Sequence, residues 1–107
     1  MKMRLFALAG ATLIATLPLT AQTASAAPRC TSDNICTWTK ANFGGTKHTY
    51  GKANGCYPRS GRTVSNQSNK LITVYKDASC YGSHFDIKPG HYSGSTPWPV
   101  KSMAVWG

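Results

Sequence analysis

The chain of 107 residues contains no glutamate and only three aspartates, Asp33, Asp77 and Asp86. Acid–base catalysis draws mostly on carboxylates and histidine, so this scarcity argues against an enzyme. The three histidines, His48, His84 and His91, show no metal-binding spacing such as H-E-x-x-H. His84 and Asp86 would share one face of a strand, but such a pair is usually an exposed polar pair. The cysteine spacings fit no zinc pattern. Helical periodicity is almost absent beyond residue 26. Lysine and arginine are dispersed rather than gathered into a stripe, which disfavours nucleic acid as a partner. No cofactor and no metal are expected.

What is present begins with a leader. Lys2 and Arg4 precede an apolar stretch from Leu5 to Leu19, broken by Thr12 and Thr16, and Ala24-Ser25-Ala26 forms an A-x-A cleavage site. Residues 1–26 therefore read as a secretory signal peptide. A membrane anchor is the competing reading, but the apolar run is short for a span and ends at Pro18. Residues 27–107 then form a single domain, secreted and extracellular.

Four cysteines, Cys30, Cys36, Cys56 and Cys80, all fall in that domain. In an exported chain they imply two disulfides, with three possible pairings. A domain this small needs such staples, because its core is limited. The formal net charge is +9, or +7 once Lys2 and Arg4 are removed. Dispersed positive charge supports solubility and a loose attraction to anionic surfaces.

Strand signals are frequent. Residues 35–39, 47–50, 71–76, 85–87 and 103–106 are short and rich in β-branched or aromatic side chains. Between them lie Asn54-Gly55, Ser60-Gly61, Pro89-Gly90, Ser93-Gly94 and Pro97-Trp98-Pro99. This pattern predicts an all-β sandwich or barrel.

An internal repeat sharpens the expectation. Trp38, Phe43 and Gly45 follow the spacing aromatic-x4-aromatic-x-Gly, and Tyr75, Cys80 and Gly82 reproduce it 37 residues later with Cys80 in the second aromatic place. Thr63 follows Trp38 by 25 residues, and Ser102 follows Tyr75 by 27. A glycine at that point can take positive φ at a sharp turn. The leading aromatic can cover the turn, and the later hydroxyl can bond backbone groups freed where the hairpin folds over. Two copies in register point to two copies of one supersecondary unit.

With these residues the chain resembles a βγ-crystallin domain. The resemblance implies a disulfide-stabilised sandwich of two Greek-key motifs, here about 34–68 and 70–107. Many such domains bind calcium just before the later hydroxyl residue. Here those stretches read Arg59-Ser60-Gly61-Arg62-Thr63 and Trp98-Pro99-Val100-Lys101-Ser102, without a carboxylate. Calcium prefers several oxygen ligands, usually carboxylates, so no calcium site is expected.

Within that fold the chain is similar to the secreted bacterial proteinase-inhibitor family related to the Streptomyces metalloproteinase inhibitor. The marks are the leader, Cys30-x5-Cys36, Trp38, Asn42-Phe43-x-Gly45, Gly55-Cys56 and Val74-Tyr75-x-Asp77-Ala78-x-Cys80. The resemblance, with local spacing, implies the pairings Cys30–Cys36 and Cys56–Cys80. It also implies a non-catalytic inhibitor whose partner is an extracellular protease.

An inhibitory loop must be rigid before it binds, since ordering costs affinity. Two segments are candidates. One is Tyr57-Pro58-Arg59-Ser60-Gly61-Arg62, where Arg59 would suit a trypsin-like pocket and Tyr57 an apolar one. The other runs over 93–99, with Trp98 between Pro97 and Pro99. Each is also what an ordinary Greek-key connection looks like. The alternative function is an antimicrobial protein that binds an anionic cell-wall polymer or a polysaccharide, as some small secreted βγ-crystallin-like proteins act on fungi. Exposed Trp98, Tyr92, Tyr81 and Tyr57 would then stack on sugar rings. A monomer is expected in either case.

Overall fold

Eight strands form where β-branched and aromatic residues can put one face into a shared core. The computed structural model describes residues 29–107. The leader assigned to 1–26 lies outside the described residues. The strands are β1 (Ile35–Lys40), β2 (Gly44–Tyr50), β3 (Gly55–Tyr57), β4 (Thr63–Asn66), β5 (Leu71–Asp77), β6 (Tyr81–Ile87), β7 (Tyr92–Ser93) and β8 (Ser102–Trp106).

They build two four-stranded antiparallel sheets. Sheet A has the order β2-β1-β4-β7, and sheet B the order β3-β8-β5-β6. In each half of the chain, the fourth strand returns beside the first, as β4 beside β1 and β8 beside β5. That return is the Greek-key connection. The third strand of each half crosses over: β3 pairs with β8, and β7 pairs with β4. Neither sheet is therefore complete without the other half. The fold is an all-β, disulfide-stabilised sandwich.

Alternation along the strands separates the faces. Ile35, Val64, Ile72, Val74, Ile87, Val100, Met103 and Val105 are buried together between the sheets, with Tyr57, Phe85 and Trp98 packed at the margin. The core is small, and two disulfides supplement it. Cys30 bonds Cys36 and Cys56 bonds Cys80.

The outer faces of the sheets differ. On sheet A a second buried cluster of Cys30, Cys36 and Trp38 is covered by Phe43. Tyr92 packs on Phe43 at 5.6 Å between ring centroids, and the Arg29 guanidinium lies 4.5 Å over the same ring. On the outer face of sheet B the Cys56–Cys80 bridge lies beside Ala104, and Tyr75 packs on His84. Thr73, Tyr75, His84, Asp86 and Trp106 line an open groove there.

Candidate functional site

The two repeated units fold in the same way at their hairpins. Asn42 and Phe43 have φ of 56° and 61°, and Ser79 and Cys80 have φ of 61° and 55°. These left-handed pairs bend the chain sharply, at a conformational cost for residues with a Cβ. Gly45 (φ 74°) and Gly82 (φ 89°) complete the bends. A Cβ at Gly45 would collide with Thr39 Oγ1, and one at Gly82 with the Asp77 carboxylate. Glycine is thus needed at both positions for φ and for space.

A hydroxyl from the last strand of each half holds each bend. Thr63 Oγ1 donates to Lys40 O at 2.8 Å and accepts the Phe43 N–H at 3.1 Å. Ser102 Oγ donates to Asp77 O at 2.5 Å and accepts the Cys80 N–H at 2.8 Å. Backbone groups that the folded hairpin removes from the ladder are satisfied by these two side chains.

The units differ in how the bend is covered. In the first, Phe43 packs edge-on against Trp38, with centroids 4.9 Å apart. In the second, Cys80 stands in that place and is bonded to Cys56 on β3, with Cα atoms 6.1 Å apart. Tyr75 instead packs on His84 at 5.3 Å. The tip over 77–82 is therefore pinned to a strand from the other half of the chain. From it Tyr81 projects with 75% of its surface exposed, more than Tyr92 or Trp106. The sequence places Tyr81 among possible sugar-stacking residues but does not single out this tip. The signal lies in Cys80, which both replaces an aromatic and needs a partner.

The segment over 57–62 lies beside that tip. Tyr57, Pro58, Ala78 and Ser79 face a shared hollow of about 300 Å³. Pro58 and Ser60 are exposed. Arg59 corrects the expectation drawn from sequence. It is only 8% exposed, and its guanidinium lies 4.1 Å from the ring centroids of both Tyr50 and Tyr57. Nη1 lies 3.6 Å from Met103 Sδ. Burial lowers the Arg59 pKa, and the two phenols oppose that shift. A side chain held between two aromatic rings does not enter a trypsin-like pocket. Tyr57 is likewise committed, with its hydroxyl 2.8 Å from Ala53 O and its ring on the core.

The segment over 93–99 is tied to the first. Arg62 Nη2 donates to Thr96 O at 2.8 Å, and the Thr96 N–H donates to Arg62 O at 2.9 Å. The Val100 N–H donates to Gly61 O at 2.9 Å. Trp98 packs on Phe85 at 5.7 Å and on the core, so it is half-buried rather than presented to a ligand. Thr96 Oγ1 donates to Trp98 O at 2.7 Å and stiffens the Pro97-Trp98-Pro99 turn. Pro97 and Pro99 are exposed. The stretches 59–63 and 98–102 are thus joined by the backbone bond from Val100 to Gly61.

His84 and Asp86 do share a face, but each bonds a different partner. His84 Nδ1 lies 3.0 Å from Gly82 O, and Asp86 Oδ1 accepts from Thr73 Oγ1 at 2.6 Å. Neither is poised against the other for proton transfer.

A family model for peptidase inhibitor family I36 matches residues 23–87. The match spans β1 to β6 and includes the Cys56–Cys80 bridge and the tip over 77–82, but stops short of the 93–99 segment. No curated protein and no solved structure matches the chain. The family match covers more than half of the chain and describes inhibitors rather than enzymes. The chain belongs to peptidase inhibitor family I36.

Proposed function

We propose that this protein is secreted and blocks an extracellular peptidase with the tip over 77–82. The carrying observation is the combination of exposure and restraint at Tyr81. The side chain is 75% exposed, while the preceding Cys80 is held by both a disulfide and Ser102. A tyrosine on a preordered loop brings a large contact area at low entropic cost. Exposed Pro58, next to Ala78 and Ser79, extends the contact surface. The 57–62 and 93–99 segments then serve mainly as a brace, through Arg62 and Thr96.

The geometry favours a wedge over a mimic of the substrate. Ser79 and Cys80 are left-handed, whereas an extended peptide keeps φ negative. The peptide bond between them is not offered in the form a peptidase cuts. The test is a titration of the disulfide-bonded protein against thermolysin-like, subtilisin-like and trypsin-like peptidases. Stoichiometric loss of one activity, weakened about 30-fold or more by Tyr81→Ala, is the expected result for an anchor residue. Full inhibition by the Tyr81→Ala variant would move the contact elsewhere.

A further inference from the structure

We infer that the open outer face of sheet B is a binding site for a neutral glycan chain, centred on Trp106. This goes beyond peptidase inhibition and is centred on a residue outside the inhibitory tip, although one groove shares the Cys56–Cys80 bridge with it.

Trp106 is 52% exposed, yet it is not loose. Its indole N–H donates to Thr73 Oγ1 at 2.9 Å, and Thr73 Oγ1 donates to Asp86 Oδ1 at 2.6 Å. A carboxylate at the end of this relay strengthens both bonds. The indole is fixed by its edge from β8 to β5, and through Thr73 to β6. A fixed aromatic ring with its face open loses little freedom when a ligand stacks on it. The face of an indole is electron-rich, and the C–H face of a pyranose is complementary to it.

The surroundings suit hydroxyl groups. Asp86 has a second carboxylate oxygen free of any hydrogen bond within the described residues. Gly82 O can only accept, so His84 Nδ1 donates in their contact, and that contact leaves Nε2 unengaged. The Tyr75 hydroxyl, on the same groove, can donate or accept. Sugar hydroxyls need such mixed partners.

Shape and charge narrow the class. Shallow grooves run on both sides of Trp106. One, of about 300 Å³, holds Thr73, Tyr75, His84 and Asp86. The other, of about 330 Å³, is floored by Ala104 and the Cys56–Cys80 bridge and edged by Asn54. Two grooves meeting at one aromatic ridge suit a chain of sugar rings better than a single ring. Neither lining contains lysine or arginine, although the chain is strongly basic. Asp86 repels anionic polymers at the first groove, and the Lys70 ammonium, 2.9 Å from Asn54 Oδ1, repels cationic ones at the edge of the second. The chain's net positive charge disfavours cationic ligands. A neutral glycan is what remains. The site differs from the one expected from sequence, where Trp98, Tyr92, Tyr81 and Tyr57 would stack on an anionic wall polymer or a polysaccharide.

The test uses the disulfide-bonded protein and follows tryptophan fluorescence. Chitohexaose and laminarihexaose serve as neutral probes, polygalacturonate as the anionic one and tetramethylammonium as the cationic one. At least one neutral hexasaccharide should bind saturably. Trp106→Ala should weaken that binding about tenfold or more, and Trp106→Phe should keep most of it. Because both variants remove the one tryptophan of the two grooves and leave Trp38 and Trp98, their affinities are read by calorimetry. Peptidase inhibition should be unchanged in both variants, which also reports that they fold. Failure of both neutral probes would overturn the proposal. So would binding only to polygalacturonate or tetramethylammonium, or unchanged hexasaccharide affinity in Trp106→Ala. If inhibition fails in the parent protein while the glycan binds, only the peptidase reading falls.

Discussion

The Cys80 N–H donates to Ser102 Oγ at 2.8 Å, so a residue of β8 holds the tip of the β5–β6 hairpin from below. Ser102 is fully buried and also donates to Asp77 O, which closes the bend from both sides. Thr63 does the same for Phe43 and Lys40 in the other half.

Removing either hydroxyl strands buried backbone groups. Ser102→Ala and Thr63→Val should each cost about 1–3 kcal/mol. Thermal unfolding should show a drop of several degrees for each, while Thr63→Ser stays near the parent value. A melting curve for Ser102→Ala that overlays the parent would mean that the bend holds itself.

The Cys56–Cys80 bridge ties β3 of one half to the hairpin of the other. Replacing both cysteines by serine should lower stability by about 2–4 kcal/mol. Peptidase inhibition should fall further than the loss of folded protein explains, because the tip loses its anchor. Circular dichroism and an inhibition titration on the same sample separate the two effects. Equal losses in both would argue against the tip as the contact.

Arg59 serves the fold rather than a ligand. Arg59→Ala should destabilise the fold by about 2 kcal/mol or more, through lost packing between Tyr50 and Tyr57. Arg59→Met keeps much of the volume without burying a charge, and should recover most of that stability. Inhibition per folded molecule should be unchanged in both. Selective loss of activity against a trypsin-like enzyme in Arg59→Met would restore Arg59 as a contact residue.

Thr37 sits in β1 with no exposed surface, and its hydroxyl has no hydrogen-bond partner among the described residues. Valine has nearly the same shape and no polar atom to bury. Thr37→Val should therefore raise stability, by about 1 kcal/mol. Chemical denaturation should show a higher midpoint at unchanged slope. A lower midpoint would show that the hydroxyl is satisfied.

Strands with a strong hydrophobic pattern are legible in the amino-acid sequence. β1, β5 and β8 fall over the segments rich in isoleucine, valine and aromatics. β2 and β6 begin earlier than those segments suggest, at Gly44 and Tyr81, because glycine and serine carry no strand signal of their own. β4 reads Thr-Val-Ser-Asn and is wholly buried, so polar residues hide its character. Asn66 belongs there because its amide donates to Lys70 O and Ile87 O, and its oxygen accepts from Ser68. β3 and β7 span three and two residues, too few for a period to show. The loops are harder still. Tyr81 and Trp106 look no different in sequence from Tyr57 and Trp98, yet the first pair is exposed and the second packs on the core.

The sequence by itself determined the two folded hairpins. Their requirements are local in kind: a glycine where φ is positive, and a hydroxyl at a set distance along the chain. Those constraints survive in spacing, and the repeat displays them. Only the tertiary structure decided which side chains meet. Arg59 is enclosed by Tyr50 from β2 and Tyr57 from β3, and Arg62 reaches Thr96 from the other half of the chain. Burial depends on how two sheets close over each other, and that arrangement leaves no period in the chain. The same closure leaves the tip at Tyr81 and the face at Trp106 open to solvent, where a partner can reach them.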